Sequence, residues 1–531
     1  MYDVLIRQGT VIDGTGAPGY RADVALAGGK IAKIAHSVTD AAARTLDAEG
    51  LVVCPGFVDM HSHSDQRCLF NNGAANYLEQ GITTEVMGQC GISVIPFDEA
   101  YETEIRSVGY GVPEEKLAAI RAMRSAGDFL DLVDRYGNGT NVALLMAHGA
   151  IRRSVMGMEN RIPTAAEMRA MKDILARGMR EGARGMSTGL IYPPGVYSTT
   201  EELVELAGVA ASYGGMYVSH MRNESDEVDV SVREVMRIGR EAKIPVHVSH
   251  IKVCNKANWG RSGEILGLLD YANKSGIEMT ADQYPYTGGS TNLANLLPPR
   301  HAADGKEALR QKLQSPELRE VMRRELLGLE GAGWENFFLN AGPENILISS
   351  NTLEELRHPA FLAGYARERG MDAANAMFDI LVRDMETRSV IFMLDEADIE
   401  AFMRHPYVMG GTDGRVQLKD GMHNIPRSFA TFPRIIGTYC RDRRLMRLEE
   451  CIRKQTSLPA SRARLHGKGA LKQGLDADLT IFDYAAIKDN SWFDNHEARN
   501  EGIHYVIVNG GIAVENGVAT GEIAGRAIRW R

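Results

Sequence analysis

The chain has 531 residues, of which 44% are apolar and 24% charged, and its formal net charge at pH 7 is −9. This length suffices for a barrel-sized domain together with a smaller one, and the composition is that of a globular protein with a large core. The acidic balance disfavours nucleic acid and anionic membranes as main partners, because both attract basic surfaces. No apolar run approaches transmembrane length.

The N-terminal residues, Met1 to Arg7, lack the basic start and the apolar run of a signal peptide. The six cysteines form no CxxC pair and have no spacing typical of a disulfide framework. In a long chain without a signal peptide such cysteines are expected to be reduced thiols. These features predict a cytoplasmic location.

Both ends of the chain have the short apolar runs, separated by Gly and Asp, that are typical of β-strands. The runs are Val4–Ile6, Val24–Leu26, Ile31–Ile34, Ala477–Asp483 and Tyr505–Gly510. Neither end alone has enough apolar residues for a stable core. We therefore expect residues 1–54 and 466–531 to build one small β-sandwich domain together.

Between the two ends, strand-like and helix-like stretches alternate, and residues 164–181 and 228–242 are two of the helical ones. Eight strand–helix units predict an α/β fold, a (β/α)8 TIM-like barrel over residues 55–465, with its active site at the C-terminal ends of the strands. A charged helical run at about 290–342 is interpreted as an insertion after strand seven. The eight predicted strands end at His61/His63, Cys90, His148, Ser187, His220, His250, Asp282/Tyr284 and Asp413.

The first predicted barrel strand runs from Leu51 and ends in His61-Ser62-His63. Side chains i and i+2 of a strand point to the same face, so both imidazoles can reach one metal ion. Such a pair alone is a weak signal, because histidines are often exposed or hydrogen-bonded in a core. Cys90, His220 and His250, at the ends of other strands, add the thiolate and imidazole ligands that suit zinc.

Asp413 follows the last predicted strand, which in a barrel lies beside the first. An Asp-Gly pair alone usually marks a turn. As one of eight strand ends that include the histidines and Cys90, Asp413 is predicted to bind metal or to transfer protons.

The stretch Pro55–His63 resembles the opening motif of the amidohydrolase superfamily. Many members have a carbamylated lysine at the end of strand four, whereas this chain has Ser187-Thr188 there and Cys90 on strand two. That exchange resembles the N-acyl-D-amino acid deacylase (D-aminoacylase) family, and the resemblance covers essentially the whole chain. Further motifs similar in order and spacing are Gly88–Gly91, Ser187–Pro194, Ser219–Glu224, Ser249–Lys252, Asp282–Tyr286 and Thr431–Arg434.

The resemblance implies two zinc sites that share Cys90: a tight one with His220 and His250, and a weaker one with His61, His63 and Asp413. It also implies the reaction, hydrolysis of the acyl–amide bond of an N-acyl-D-amino acid to a carboxylate and a free D-amino acid. The substrate is then a small molecule. Its D configuration is implied by the resemblance alone.

Amide hydrolysis needs an activated water and a base that returns the proton to the leaving amine, and Asp413 is predicted for both proton transfers. Lys252, two residues beyond His250, is expected to bind the substrate α-carboxylate; otherwise it is a solvated lysine. Tyr192 and Tyr284, at the ends of strands four and seven, either bind substrate or pack at the rim. Arg300, in the insertion, either contacts a substrate carboxylate or lies on the surface.

Two alternatives remain from the sequence. A cyclic-amide hydrolase, such as a dihydroorotase or hydantoinase, is disfavoured by Cys90 and by the missing lysine on strand four. A non-catalytic binding protein with this fold is disfavoured because all six expected ligand positions are occupied. Nucleotide-dependent enzymes are disfavoured because no P-loop and no GxGxxG after a strand is present.

Overall fold

The computed structural model describes residues 1–96, 112–331, 333–417, 425–493 and 495–529. Its strands in chain order are β1 (Tyr2–Val11), β2 (Tyr20–Ala27), β3 (Lys30–Ala35), β4 (Ala42–Asp47), β5 (Val52–Pro55), β6 (Phe57–Asp59), β7 (Ile82–Met87), β8 (Asn141–Leu144), β9 (Met146–Ala147), β10 (Gly185–Gly189), β11 (Met216–His220), β12 (Val246–Val248), β13 (Met279–Gln283), β14 (Gly288–Asn292), β15 (Ile346–Ser349), β16 (Ala360–Phe361), β17 (Arg388–Phe392), β18 (Val408–Gly410), β19 (Leu479–Phe482), β20 (Ile503–Val508), β21 (Gly511–Glu515) and β22 (Val518–Ala519).

The α-helices of the described residues are Ala75–Leu78, Glu114–Arg121, Ala126–Tyr136, His148–Met156, Ala165–Arg180, Thr200–Ser212, Val228–Ala242, Ser262–Lys274, Lys306–Gln314, Pro316–Leu326, Phe337–Ala341, Leu362–Glu368, Ala373–Arg383, Glu396–Arg404, Arg427–Arg434, Leu448–Gln455 and Ser457–Arg462. A π-helix, Ile435–Asp442, follows Arg434 directly. Within the described part of the chain, no helix has the length and apolar character needed to cross a membrane.

Strands from both ends of the chain form one nine-stranded sheet. Its order is β22-β21-β20-β19-β5-β1-β2-β3, and β4 pairs with β1. The N-terminal and C-terminal parts meet where β19 pairs antiparallel with β5, with Leu479 opposite Pro55. Apolar side chains such as Ile6, Val24 and Ile481 pack in the core of this sheet, so each end of the chain supplies the burial that the other lacks.

The central strands are parallel and lie in two sheets, β6-β7-β8 and β9-β10-β11-β12-β13-β18. Leu145 alone separates β8 from β9. A parallel bridge joins Ser62, after β6, to Gly414, after β18. Helices alternate with these strands; Ala165–Arg180, for example, begins at a capping box in which Thr164 and Glu167 bond to each other's backbone N–H groups.

The predicted strand from Leu51 to His63 is two strands, divided at Gly56. β5 belongs to the terminal sheet, and β6 belongs to the parallel strands. A Cβ atom at position 56 would lie 2.2 Å from Oγ1 of Thr83, so a residue with a side chain does not fit where the chain passes from one sheet to the other.

The segment between β13 and β18 contains a four-stranded antiparallel sheet, β14-β17-β15-β16, in addition to helices. We refer to this sheet as the inserted sheet. The helices Lys306–Gln314 and Pro316–Leu326 lie within the predicted run of 290–342, but three of the four strands lie beyond it. β14 and β17 are far apart in the sequence and pair with Ser290 opposite Val390, a contact that no local pattern reveals.

Asp478 connects the terminal sheet to the parallel strands through hydrogen bonds. Its carboxylate accepts hydrogen bonds from Nζ of Lys468 at 2.5 Å, from Nδ2 of Asn141 at 3.2 Å and from the backbone N–H of Asn509 at 2.8 Å. Its backbone carbonyl accepts a hydrogen bond from the N–H of Gly56 at 2.9 Å. Lys468 and Asp478 are each 5% exposed at the side chain, so this ion pair is largely withdrawn from water.

We expect Asp478→Ala to lower the free energy of unfolding by about 2 kcal/mol, because it leaves a buried ammonium and two buried donors without their main acceptor. Asp476→Ala is the matched control, since Asp476 also contacts Lys468, at 3.1 Å, but its side chain is 20% exposed. Urea unfolding of both variants measures the difference. Equal losses in the two variants would contradict the assigned role of Asp478.

Candidate metal centre and active site

Six predicted ligands converge where the parallel strands end. They form two groups that share Cys90, and within each group the potential ligand atoms lie within 4.8 Å of one another. Sγ of Cys90 lies 3.2 Å from Nε2 of His61 and 3.5 Å from Nε2 of His250. The groups are His61, His63, Cys90 and Asp413, and Cys90, His220 and His250.

The second group has the features of a site built for a metal ion. Its three side chains are buried, and Nδ1 of His220 lies 2.8 Å from Nε2 of His250. The other ring nitrogen of His220, Nε2, lies 3.6 Å from the carboxylate of Glu224, so Nδ1 is the nitrogen that faces His250. A thiolate with two imidazoles is a donor set that zinc prefers.

Three of the six residues have left-handed backbone conformations. The φ angles are +53° at Cys90, +35° at His250 and +47° at Asp413. Each such non-glycine residue costs of the order of 1–3 kcal/mol and persists only where the surroundings enforce it. The ends of three different strands therefore carry backbone strain that directs these side chains toward a common point.

The turn that carries Cys90 packs against β10, the strand that ends in Ser187-Thr188-Gly189. The hydroxyl of Ser187 donates to the carbonyl of Gly88 and accepts from the N–H of Gly91. A Cβ atom at Gly189 would lie 2.0 Å from the carbonyl oxygen of Cys90. Strand four thus supports the thiolate and supplies no ligand of its own.

Asp282 fixes the orientation of His61. Its carboxylate lies 3.2 Å from Nδ1 of His61 and 2.8 Å from Nε2 of His247, and it accepts the backbone N–H of His250 at 2.9 Å. Burial alone would raise the pKa of Asp282, but His61 and His247 hold that pKa well below its usual range. A carboxylate behind an imidazole in this way sets its tautomer and leaves Nε2 directed at the metal site.

Glu224 serves the other two histidines in the same way. Its carboxylate lies 3.2 Å from Nδ1 of His250 and 3.6 Å from Nε2 of His220. Nζ of Lys252 donates to Glu224 at 2.6 Å and lies 2.7 Å from Nδ1 of His250. The structure therefore gives Lys252, predicted to bind a substrate carboxylate, a buried carboxylate of the protein as its partner.

The charge states of Cys90 and Asp413 suit metal and proton chemistry. Burial opposes ionisation of the Cys90 thiol, but His61 and His250 hold its pKa well below the ordinary value. Burial likewise opposes ionisation of Asp413, but Arg427, 2.8 Å away, and His61 keep the pKa of Asp413 well below its usual range. Asp413 also lies 3.1 Å from Nε2 of His63.

The other three residues predicted to contact substrate lie in three different environments. Tyr192 packs edge-on against His220, with ring centroids 5.1 Å apart. Tyr284 is buried beneath Lys252 and Arg427, whose cationic groups lie 6.0 and 4.8 Å from its ring centroid. Arg300 pairs with Glu325 within the insertion and does not line the cavity beside Asp413.

An open cavity adjoins Asp413, and one face of the inserted sheet lines it. Ser349 lies opposite Arg388 and Leu347 opposite Val390 across β15 and β17, and all four residues face the cavity.

Sequence reasoning missed Arg388. Burial, with Arg427 and Arg67 nearby, lowers the pKa of Arg388 to about 10, and no carboxylate among the described residues pairs with its guanidinium. The position of Arg388 at the cavity depends on the pairing of β17 within the inserted sheet, which the sequence analysis did not predict.

Comparison with known proteins identifies the family to which the chain belongs. The chain matches the amidohydrolase family over residues 44–283 and 363–514. It is 34% identical to a D-aminoacylase and 33% identical to an N-acyl-D-glutamate deacylase, both of Alcaligenes xylosoxydans xylosoxydans, over 99% and 96% of this chain and 97% and 93% of theirs.

Two solved structures superpose on the whole chain, and each is covered over its own full length at 32% identity. One is a D-aminoacylase studied for its binuclear metal centre, with a TM-score of 0.82. The other is an N-acyl-D-glutamate deacylase from Bordetella bronchiseptica, complexed with zinc and a phosphonate that mimics the tetrahedral intermediate, with a TM-score of 0.81. The fold is therefore the amidohydrolase fold, and the chain belongs to the amidohydrolase family.

Proposed function

We propose that the protein is a zinc-dependent deacylase that hydrolyses N-acyl-D-amino acids to a carboxylate and a free D-amino acid. The convergence of two ligand groups on the Cys90 thiolate carries this proposal. Relatives that match nearly the full chain are a D-aminoacylase and an N-acyl-D-glutamate deacylase, both of which act on linear amides. The same matches favour this function over hydrolysis of cyclic amides, as do Ser187 and Thr188 in place of a strand-four lysine.

Zinc would be held most firmly by Cys90, His220 and His250, since these side chains are buried and supply one thiolate and two imidazoles. A second ion would use His61, His63 and Asp413, with Cys90 bridging. When bound, zinc lowers the pKa of a water molecule and polarises the scissile carbonyl.

Asp413 is the base in this proposal. Its carboxylate stays ionised beside Arg427 and reaches the cavity, so it can accept a proton from the attacking water and return it to the leaving nitrogen. Because Asp413 lies 3.1 Å from His63, the proton transfer would occur beside the candidate metal ligands.

Arg388 is the group that would hold the substrate α-carboxylate. It faces the cavity that contains Asp413, and its guanidinium has no carboxylate partner among the described residues. A planar guanidinium binds a carboxylate through two parallel hydrogen bonds, which fixes the orientation of the substrate. The sequence-based candidate Lys252 remains the alternative, and one experiment below separates the two.

We further infer that the two parallel sheets are arcs of one eight-stranded barrel, in which β8 and β9 form a single strand and the Ser62–Gly414 bridge closes the ring. On this basis residues 55–465 form the metal-dependent barrel, and residues 1–54 and 466–531 form the terminal β-domain. The insertion of this barrel includes the predicted run of 290–342 and continues through β17.

Purified protein is expected to contain at least one zinc ion per chain, and Cys90→Ala is expected to lose both zinc and activity, because Cys90 belongs to both ligand groups. Elemental analysis of unchelated protein measures the metal content. Cys54→Ala is the matched control: Cys54 is equally buried but lies in the terminal sheet, so its loss should leave zinc in place. Wild-type protein free of zinc would refute the proposal.

Asp413→Asn is expected to fold and to retain zinc at Cys90, His220 and His250, since Asp413 is not part of that group. Its kcat should fall at least about 100-fold, because an amide cannot accept the proton. Metal content and steady-state kinetics with an N-acetyl-D-amino acid measure both quantities on one preparation. Turnover near the wild-type rate would show that another group is the base.

Arg388→Met is expected to lower kcat/KM about ten- to a hundredfold, the loss of a charge-assisted hydrogen bond worth about 1.5–3 kcal/mol. The wild type should show a similar loss when the substrate is supplied as its α-amide, and the variant should discriminate little between acid and amide. Lys252→Met is the comparison. If that variant loses the discrimination while Arg388→Met retains it, Lys252 binds the carboxylate.

A further inference from the structure

The cavity beside Asp413 has an apolar side whose use the deacylase reaction alone does not explain. Leu347, Pro359, Val390 and Phe493 line it. Leu347 and Val390 come from the inserted sheet, whereas Phe493 lies between β19 and β20 and so comes from the terminal β-domain. Two units that contribute no candidate metal ligand therefore build this wall.

Several contacts hold Phe493 at the cavity. Asp489 pairs with Arg434 at 2.9 Å, and the guanidinium of Arg434 lies 5.4 Å from the ring centroid of Trp492. The N–H of Asn495 donates to the carbonyl of Trp492 at 3.1 Å.

The ring of Phe493 packs edge-on against Phe392 of β17, with centroids 5.0 Å apart. The segment thus joins the barrel side to the inserted sheet, and Phe493 is placed by contacts on both sides.

Four arginines line the cavity: Arg67, Arg388, Arg415 and Arg427. Arg427 pairs with Asp413. The guanidinium of Arg388 has no hydrogen-bond or ion-pair partner among the described residues, so it is available to the substrate α-carboxylate.

The position of Arg388 relates the apolar wall to a particular part of the substrate. Arg388 and Val390 lie on the same face of β17, two residues and therefore about 6.6 Å apart. In an N-acyl amino acid the α-carbon carries both the carboxylate and the side chain. A carboxylate held at Arg388 thus leaves the side chain within reach of Val390, Leu347 and Phe493, while the acyl group lies across the scissile amide.

We propose that the preferred substrates are N-acyl-D-amino acids with a large apolar side chain, that this side chain packs against Phe493, Val390 and Leu347, and that Phe493 determines the preference. This rests on the proposed deacylase function and specifies its substrate class. An acidic side chain, as in the substrates of the N-acyl-D-glutamate deacylase relative, would meet an apolar wall there.

The test compares N-acetyl-D-phenylalanine, N-acetyl-D-alanine, N-acetyl-D-aspartate and N-octanoyl-D-alanine as substrates of the zinc-loaded full-length protein. The wild type should favour the phenylalanine derivative. Phe493→Ala should lower kcat/KM for that substrate about tenfold, chiefly through KM, and leave the N-acetyl-D-alanine value nearly unchanged. Phe493→Leu should restore part of the preference. Phe361→Ala is the matched control, because Phe361 contacts Phe392 but does not line the cavity.

A wild-type preference for N-acetyl-D-aspartate would overturn the inference, and so would an equal loss on all substrates in Phe493→Ala. A change confined to N-octanoyl-D-alanine would also overturn it, by assigning the wall to the acyl group. Equilibrium binding of the same compounds separates the two proposals. Binding in the predicted order without turnover would refute the deacylase function and uphold the apolar site.

Discussion

The position of the Cys90 thiolate is the constraint on which the rest of the site depends. It belongs to both ligand groups, and the four histidines of those groups approach it from the ends of three different strands. The backbone is left-handed at Cys90, and Gly189 on β10 leaves no room for any side chain beside its carbonyl. The Cys90 turn therefore packs directly against the end of β10, and Ser187 supports it through hydrogen bonds to the backbone of Gly88 and Gly91.

Charge balance leads to the same conclusion as the geometry. The buried groups held in their ionised form around the site are the thiolate of Cys90 and the carboxylates of Asp282, Glu224 and Asp413. The cations in contact with them are Lys252 and Arg427 and, without metal, the imidazoles of His61 and His250, whose pKa values are raised, against the effect of burial, by Asp282, Glu224 and Cys90. Metal ligation requires neutral imidazoles, so a bound divalent ion would replace these two protons as the counter-charge of the site. Lys252 is then a counter-ion that keeps Glu224 ionised behind His220 and His250.

The convergence of the candidate ligands could be predicted from the sequence because each lies at or just beyond the end of a short apolar strand, and strand ends of a parallel α/β fold meet on one side. Arg388 could not be predicted, since its place depends on β17 pairing with β14 and β15 across a long insertion, and β14 (Gly288–Asn292) has no apolar alternation. The partner of Lys252 could not be predicted either, because Glu224 follows a different strand, β11. The division at Gly56 depends on the close approach of Thr83, a contact between strands. Local patterns thus indicate which residues follow strands and in what order the strands come, whereas the partners of the charged groups depend on tertiary contacts.

Chemistry and selectivity are separated in the fold. The candidate ligands and Asp413 all follow parallel strands, whose positions are fixed by one another. Arg388 and Val390 are on the inserted sheet, and Phe493 is on a segment of the terminal β-domain. Changes at Val390 or Phe493 can alter which side chain the cavity accepts, because neither residue belongs to a candidate ligand group. This agrees with relatives of about equal similarity to the chain, 34% and 33%, that carry the names of deacylases with different substrates. Overall identity therefore does not decide the substrate of such a chain.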